Sequence, residues 1–146
     1  MKKFIILFIL FTGSIFNSYS QNKTIEGRVI SDQMENLPGV FIMIEDSIKV
    51  GRTDLNGSFK IDLPLSVNKI SFKGVGIEPA HIILQDNCDF LEVILLLSSS
   101  QDFATPRCVN RKSKNRYKLL NKIHIKAFAN GMFQTKLPCY MSVLQY

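Results

Sequence analysis

The chain has no tryptophan, two histidines, three cysteines and, across its last 49 residues, a single acidic side chain. Without tryptophan, and with Tyr117, Tyr140 and Tyr146 all late in the chain, a stacking platform for sugars is poorly furnished. His81 and His124 stand far apart, and nucleophilic catalysis needs a base beside its nucleophile, so their spacing makes no triad. His81 reads as a surface or edge-strand residue rather than a ligand. There is no H-x-x-E or H-E-x-x-H signature and no close C-x-x-C pair, the spacings that hold zinc. The sequence therefore predicts no enzyme, no cofactor and no metal.

Long apolar runs are missing too. The longest one near the start, Phe4 to Phe11, is far short of the roughly 20 residues that span a bilayer. It follows two lysines and precedes small residues, with Ser18 and Ser20 at the minus-three and minus-one positions before Gln21. That pattern predicts a secretory signal peptide over residues 1–20, cleaved before Gln21. No cysteine stands at the cleavage point, so no lipid anchor is expected. The expected location is the periplasm or the exterior.

What is present divides sharply by charge. Residues 21–97 hold seven Lys and Arg against eleven Asp and Glu, a net of −4, while residues 98–146 hold nine against one, a net of +8. The break near Ser98 marks a boundary. A mature chain of this length has room for one domain and one core.

Between Thr24 and Leu97 the apolar residues recur at every second position, the period of a half-buried strand. Ile25 and Val29 are followed by Val40, Ile42 and Ile44, then Phe59, Ile61 and Leu63, then Ile70 and Phe72, then Ala80, Ile82 and Leu84, then Leu91, Val93 and Leu95. Gly, Pro, Asn and Asp punctuate these runs. With a short strand near Lys49 to Thr53 the count is seven, which predicts an all-β, seven-stranded antiparallel β-sandwich over residues 21–97.

"TIEGRVIS", "NLPGVFIMIED", "GRTDLNGSFKI" and "ISFKGVGIEP" follow one another in an order that resembles the carboxypeptidase regulatory-like domain. The resemblance covers about residues 23–97. It implies a transthyretin-like Greek-key sandwich of Bacteroidetes-type bacteria, often found ahead of TonB-dependent outer-membrane receptors. No plug or barrel follows here, so a transport role does not carry over.

The stretch "GRTDLNGSFKID" spaces Asp54, Asn56 and Gly57 as a calcium loop begins, but a loop of the EF-hand kind needs five or more oxygen ligands and a closing Glu. After Phe59 the chain returns to strand alternation. A hairpin accounts for each residue: Asn56 and Gly57 tolerate positive φ, and Asp54 can accept backbone N–H groups two residues on. We expect a structural turn.

Residues 98–116 read as a polar linker that becomes basic. From Tyr117 to Ala129, Leu120, Ile123, His124, Ala127 and Phe128 fall at helical spacing with lysines opposite, predicting one amphipathic helix in a 117–146 extension. Ser113 or Asn115 would cap its start, and Asn130-Gly131 its end. Nucleic acid is not an expected partner of an exported chain. An anionic membrane surface suits the basic helix. Docking on the sandwich suits Phe41, Met43, Ile94 and Leu96, which lie opposite the core-facing residues of their strands and want a cover. Of the cysteines, Cys108 and Cys139 flank the helix and are expected to pair, with Cys88 left as a packed thiol; geometry decides this, because a bridge needs Cα atoms within about 7 Å.

Together these features predict an exported, non-enzymatic binding or assembly module of the cell envelope with an envelope protein as partner. The competing reading is a carbohydrate- or calcium-binding accessory domain serving a separately encoded enzyme or receptor.

Overall fold

A computed structural model describes residues 22–85, 88, 90–98 and 106–143. The expected leader, its cleavage point and residues 99–105 of the expected linker lie outside the described residues. Among the described residues, eight strands and one helix follow in the order β1 (Asn22–Ser31), β2 (Phe41–Ile44), β3 (Ile48–Arg52), β4 (Ser58–Pro64), β5 (Lys69–Lys73), β6 (Ala80–Leu84), β7 (Phe90–Leu95), α1 (Pro106–Ala129) and β8 (Tyr140–Val143). They build a three-stranded sheet, β4-β1-β7, and a five-stranded sheet, β3-β2-β5-β6-β8.

The period-two pattern explains the core. In β4, Phe59, Ile61 and Leu63 are buried while Lys60 and Asp62 point to solvent. The matching faces of β1, β2, β5, β6 and β7 meet them in one cluster that contains Ile25, Val29, Ile42, Ile70, Phe72, Ile82, Leu91, Val93 and Leu95. Both sheets contribute, so they face each other across a single core.

Two expectations need correction. The strand count is eight, because the basic tail returns a strand to the body: β8 pairs antiparallel with β6, Met141 opposite Ile83. Nor is the pairing antiparallel throughout, since β1 and β7 run parallel, with Val29 opposite Val93. Alternation reports which face a residue takes and is blind to strand direction.

The helix also starts earlier than its apolar period. It begins at Pro106, so residues 106–116 are helical rather than linker, and neither Ser113 nor Asn115 caps it. Proline suits a first helical position, where no N–H partner is lost. The expected stop holds. Gly131 takes φ +72°, Met132 N–H donates to Ala127 O at 2.9 Å and Gly131 N–H to Phe128 O at 3.0 Å, the paired bonds of a Schellman ending.

The tail docks on the body, over the three-stranded sheet. Leu120, Ala127 and Phe133 pack with Ile30, Ile94 and Leu96 in a second buried cluster. Thus β7 is buried on both faces. The cover does not extend to Phe41 and Met43, which belong to the other sheet; Phe41 instead lies beneath Lys49 Nζ, 4.2 Å from the ring centroid. Arg116 fastens the helix: it donates from Nη1 to Glu78 Oε1, and from Nη2 to both Asp32 Oδ2 and Leu97 O, each at 2.8 Å.

The cysteine expectation is overturned. Cys88 is bonded to Cys139, with Cα atoms 5.6 Å apart and a sequence separation of 51, and Cys108 is the free thiol. The bridge joins the turn before β7 to the segment leading into β8. By loop-closure entropy a cross-link over so long a stretch contributes roughly 4 kcal/mol.

Candidate functional site

A buried carboxylate sets the path of the chain after the helix. Glu92 stands on the helix-facing side of β7 and is buried. Its Oε1 accepts the Gln134 N–H, and its Oε2 accepts the Thr135 N–H at 3.0 Å and the Thr135 hydroxyl at 2.5 Å. A buried carboxylate is tolerated only with such donors, and here all three belong to the tail. The Thr135 carbonyl lies 3.1 Å from His124 Nε2. Because a carbonyl only accepts, Nε2 carries the proton and Nδ1 is a bare acceptor; among the described residues Nδ1 has no hydrogen-bond partner. The imidazole lies 4.7 Å from the Phe133 ring. Burial holds the His124 pKa below its ordinary value, opposed by the Thr135 carbonyl and by Glu92.

This path opens a cleft of about 600 Å³ between α1 and β8. Lys114, Lys118 and Asn121 come from the helix, and Leu137, Pro138 and Met141 from the returning chain, while the buried Leu120, His124 and Tyr140 also line it. Leu137 and Met141 are 67% and 56% exposed, so the cleft presents apolar surface beside the polar residues of the helix. Among the described residues no carboxylate lines the cleft. Burial pushes the Tyr140 hydroxyl up to about 12, so it stays protonated at neutral pH.

The residues singled out from sequence lie elsewhere. Asp54 Oδ1 accepts the N–H groups of Asn56 and Ser58, each at 2.8 Å, and the Asp54 N–H donates to Ser58 O at 2.9 Å. The carboxylate is thus spent on its own turn. Gly57 alone of the Asn56-Gly57 pair takes positive φ, at +75°. Its carbonyl accepts the Val29 N–H at 2.8 Å, and a Cβ there would come within 2.4 Å of Val29 O. The turn is therefore pinned against β1. Cys139 enters the strand that borders the cleft, and Cys108 lies on α1, half-buried.

His81 departs from its expectation as a surface or edge residue. It is buried in β6, an interior strand, with Nδ1 3.4 Å from Asp46 Oδ1. Asp46, Ser71 and His81 share a small cavity of about 80 Å³. The Asp46 carboxyl sits below its usual range, chiefly through the Ser71 hydroxyl, with His81 and Lys73 also favouring the charged form. Glu45 and Asp46 both take positive φ, 52° and 60°, at the β2–β3 turn. Among the described residues no group of three or more His, Cys, Asp and Glu side chains is placed to hold a metal ion.

Sequence reasoning missed Glu92 and β8, on which the cleft depends. Glu92 was the one acid within "FLEVILLL", where an otherwise continuous apolar run signals burial on both faces. The chain matches no protein-family model, and no curated protein is similar to it.

Proposed function

We propose that the chain is an exported, non-enzymatic binding module of the cell envelope, a transthyretin-like β-sandwich whose basic tail forms the binding surface. The cleft between α1 and β8 carries this reading: it sets the exposed apolar side chains of Leu137 and Met141 beside the polar, basic face of the helix at Lys118 and Asn121. The resemblance to the carboxypeptidase regulatory-like domain supports the rest. "TIEGRVIS" lies in β1, "ISFKG" forms β5 and the residue after it, and the Thr-Asp-x-x-Gly-x-Phe stretch makes the β3–β4 turn. No described helix is long and apolar enough to cross a membrane.

Photo-crosslinking in the envelope tests the proposal. A photoreactive residue at position 141 should capture a discrete envelope protein, whereas the same residue at position 60, on the three-stranded sheet, should not. Equal capture at both positions, or none at 141, would refute the binding role of the cleft.

A further inference from the structure

A second cavity, of about 260 Å³, lies on the outer face of the three-stranded sheet, under the chain that leaves α1. Its walls come from three neighbouring strands and the tail: Arg28 from β1, Ser58 from β4, Phe90 and Glu92 from β7, and Met132 and Gln134 from the segment after α1. Arg28 lies opposite Ser58 on one side and opposite Glu92 on the other. Register alone therefore brings these three side chains together on one face.

One edge of the Arg28 guanidinium is used and the other is not. Nη1 donates to Met132 O at 3.1 Å and ties the tail to the sheet. Nε is buried and has no hydrogen-bond partner. A guanidinium presents Nε–H and an Nη2–H in parallel on the edge away from Nη1, a fork that receives two oxygens side by side. A buried donor is costly to keep without an acceptor, so the cavity is suited to a ligand with paired oxygens.

Charge and donor count choose the class of that ligand. Arg28 and Glu92 already set one positive and one negative charge on adjoining strands, and a carboxylate or phosphate would add a second negative charge beside Glu92. A neutral ligand adds none. The Ser58 hydroxyl and the Gln134 amide both donate and accept, which suits hydroxyl groups better than an acceptor-only anion. The chain has no tryptophan for a flat stacking platform, yet Phe90 gives the cavity an aromatic wall. At about 260 Å³ the space falls below the roughly 300 to 1,000 Å³ of sites for drug-sized molecules, a size for one sugar ring.

We propose that this cavity binds a neutral sugar, a single pyranose ring whose two adjacent hydroxyl oxygens accept from Arg28 Nε and Nη2. Ser58 and Gln134 bond its other hydroxyls, and Phe90 lies against its C–H face. The site shares no lining residue with the α1–β8 cleft, so either can fail without the other.

NMR of the full, isotope-labelled chain reads the Arg28 Nε–H directly. Titration with the methyl glycosides of glucose, galactose and mannose, which differ in the arrangement of adjacent hydroxyls, should shift that resonance saturably with at least one of them, at about millimolar concentration. The same glycoside methylated at every hydroxyl should give no shift. Arg28→Lys keeps the charge and loses the fork, and should weaken binding, read from the ligand's own signals, by about tenfold or more. Ser58→Ala removes a hydroxyl that makes no hydrogen bond among the described residues; it should weaken binding by about threefold and leave the thermal midpoint unchanged. If Arg28→Lys lowers that midpoint by losing the Met132 bond, the wild-type titration and Ser58→Ala still decide the matter. No saturable shift with any of the three glycosides overturns the inference and leaves water as the occupant. Equal binding of the fully methylated glycoside, or binding that neither variant changes, overturns it too. Acetate or galacturonate shifting the resonance at lower concentration than the neutral glycosides would make this an anion site instead.

Discussion

In residues 22–98 the buried side chains recur at every second position and meet one another across two sheets. In residues 106–143, Leu120, Ala127 and Phe133 are buried against Ile30, Ile94 and Leu96 of the body, so half the members of that second cluster are borrowed. The polar fastenings are borrowed as well. Arg116 reaches Asp32 and Glu78 of the body, and Gln134 and Thr135 donate to Glu92. In these fastenings the acidic body supplies the acceptors and the basic tail the donors, while Arg28 of the body donates the other way, to Met132 O at 3.1 Å. Charge separation along the sequence becomes charge pairing in space. An exposed pair within the body, Lys60 with Glu26 at 2.8 Å, shows the contrast: with both side chains more than half exposed, water screens it and it holds little together.

Removing the tail should break this arrangement most severely. A chain ending at residue 98 exposes Ile30, Ile94 and Leu96 and strips Glu92 of its donors. Three such side chains are together worth roughly 5 kcal/mol of burial. Urea unfolding should shift by about that much, with hydrophobic-dye binding and aggregation. A truncated chain that stayed monomeric with an unchanged midpoint would show that the body does not depend on its cover.

Gly57→Val attacks the body alone. A β-branched residue forced to positive φ, with its Cβ driven against the Val29 carbonyl, should cost about 3 kcal/mol, read as a lower thermal midpoint. Saturating calcium should leave the wild-type midpoint where it is; a rise of several degrees would replace the structural turn with a metal site.

The smallest expected effect belongs to the tail. The His124 pKa is depressed in the folded state relative to its ordinary 6.5. Above that value both folded and unfolded forms are neutral there and the full stability is present. As the pH falls below 6.5 the unfolded chain takes up the proton first, so stability declines until the folded value is passed, by at most about 1.4 kcal/mol per pH unit. His124→Gln should flatten that part of the stability-versus-pH curve, and an unchanged slope would show that His124 does not titrate on unfolding.

Much of the body was legible because alternation is a local signal: the residues from Ile25 to Leu95 assigned to the interior all lie in one cluster. The tail was legible only where it is amphipathic. Residues 106–116 carry no apolar stripe, so their helix rests on propagation from the docked turns and on Arg116 rather than on pattern. The four residues of β8 are too few for a period to register, and they are a strand because β6 offers them an edge. The pairing of Cys88 with Cys139 followed from that same docking. Spacing favoured the two cysteines that flank the helix, whereas the fold carries Cys139 past the helix to the turn before β7. Gly27 stood in a quoted motif, yet its reason is spatial: a Cβ would come within 2.1 Å of Leu91 O.

The parallel pairing of β1 with β7 has a consequence for the order in which the chain can assemble. The first strand lies in the middle of its sheet, and one of its neighbours arrives only after the ribosome has made residues 90–95, with Glu26 opposite Phe90. The pairs β2–β3 and β5–β6 close over short loops and can form as they emerge. The β1–β7 seam must close a far longer loop before it gains any contact, which makes it the slow, nonlocal step of folding. Until that seam forms, half of β1's bonding edges stay open, so a nascent chain stopped short of β7 keeps its opening strand unfinished.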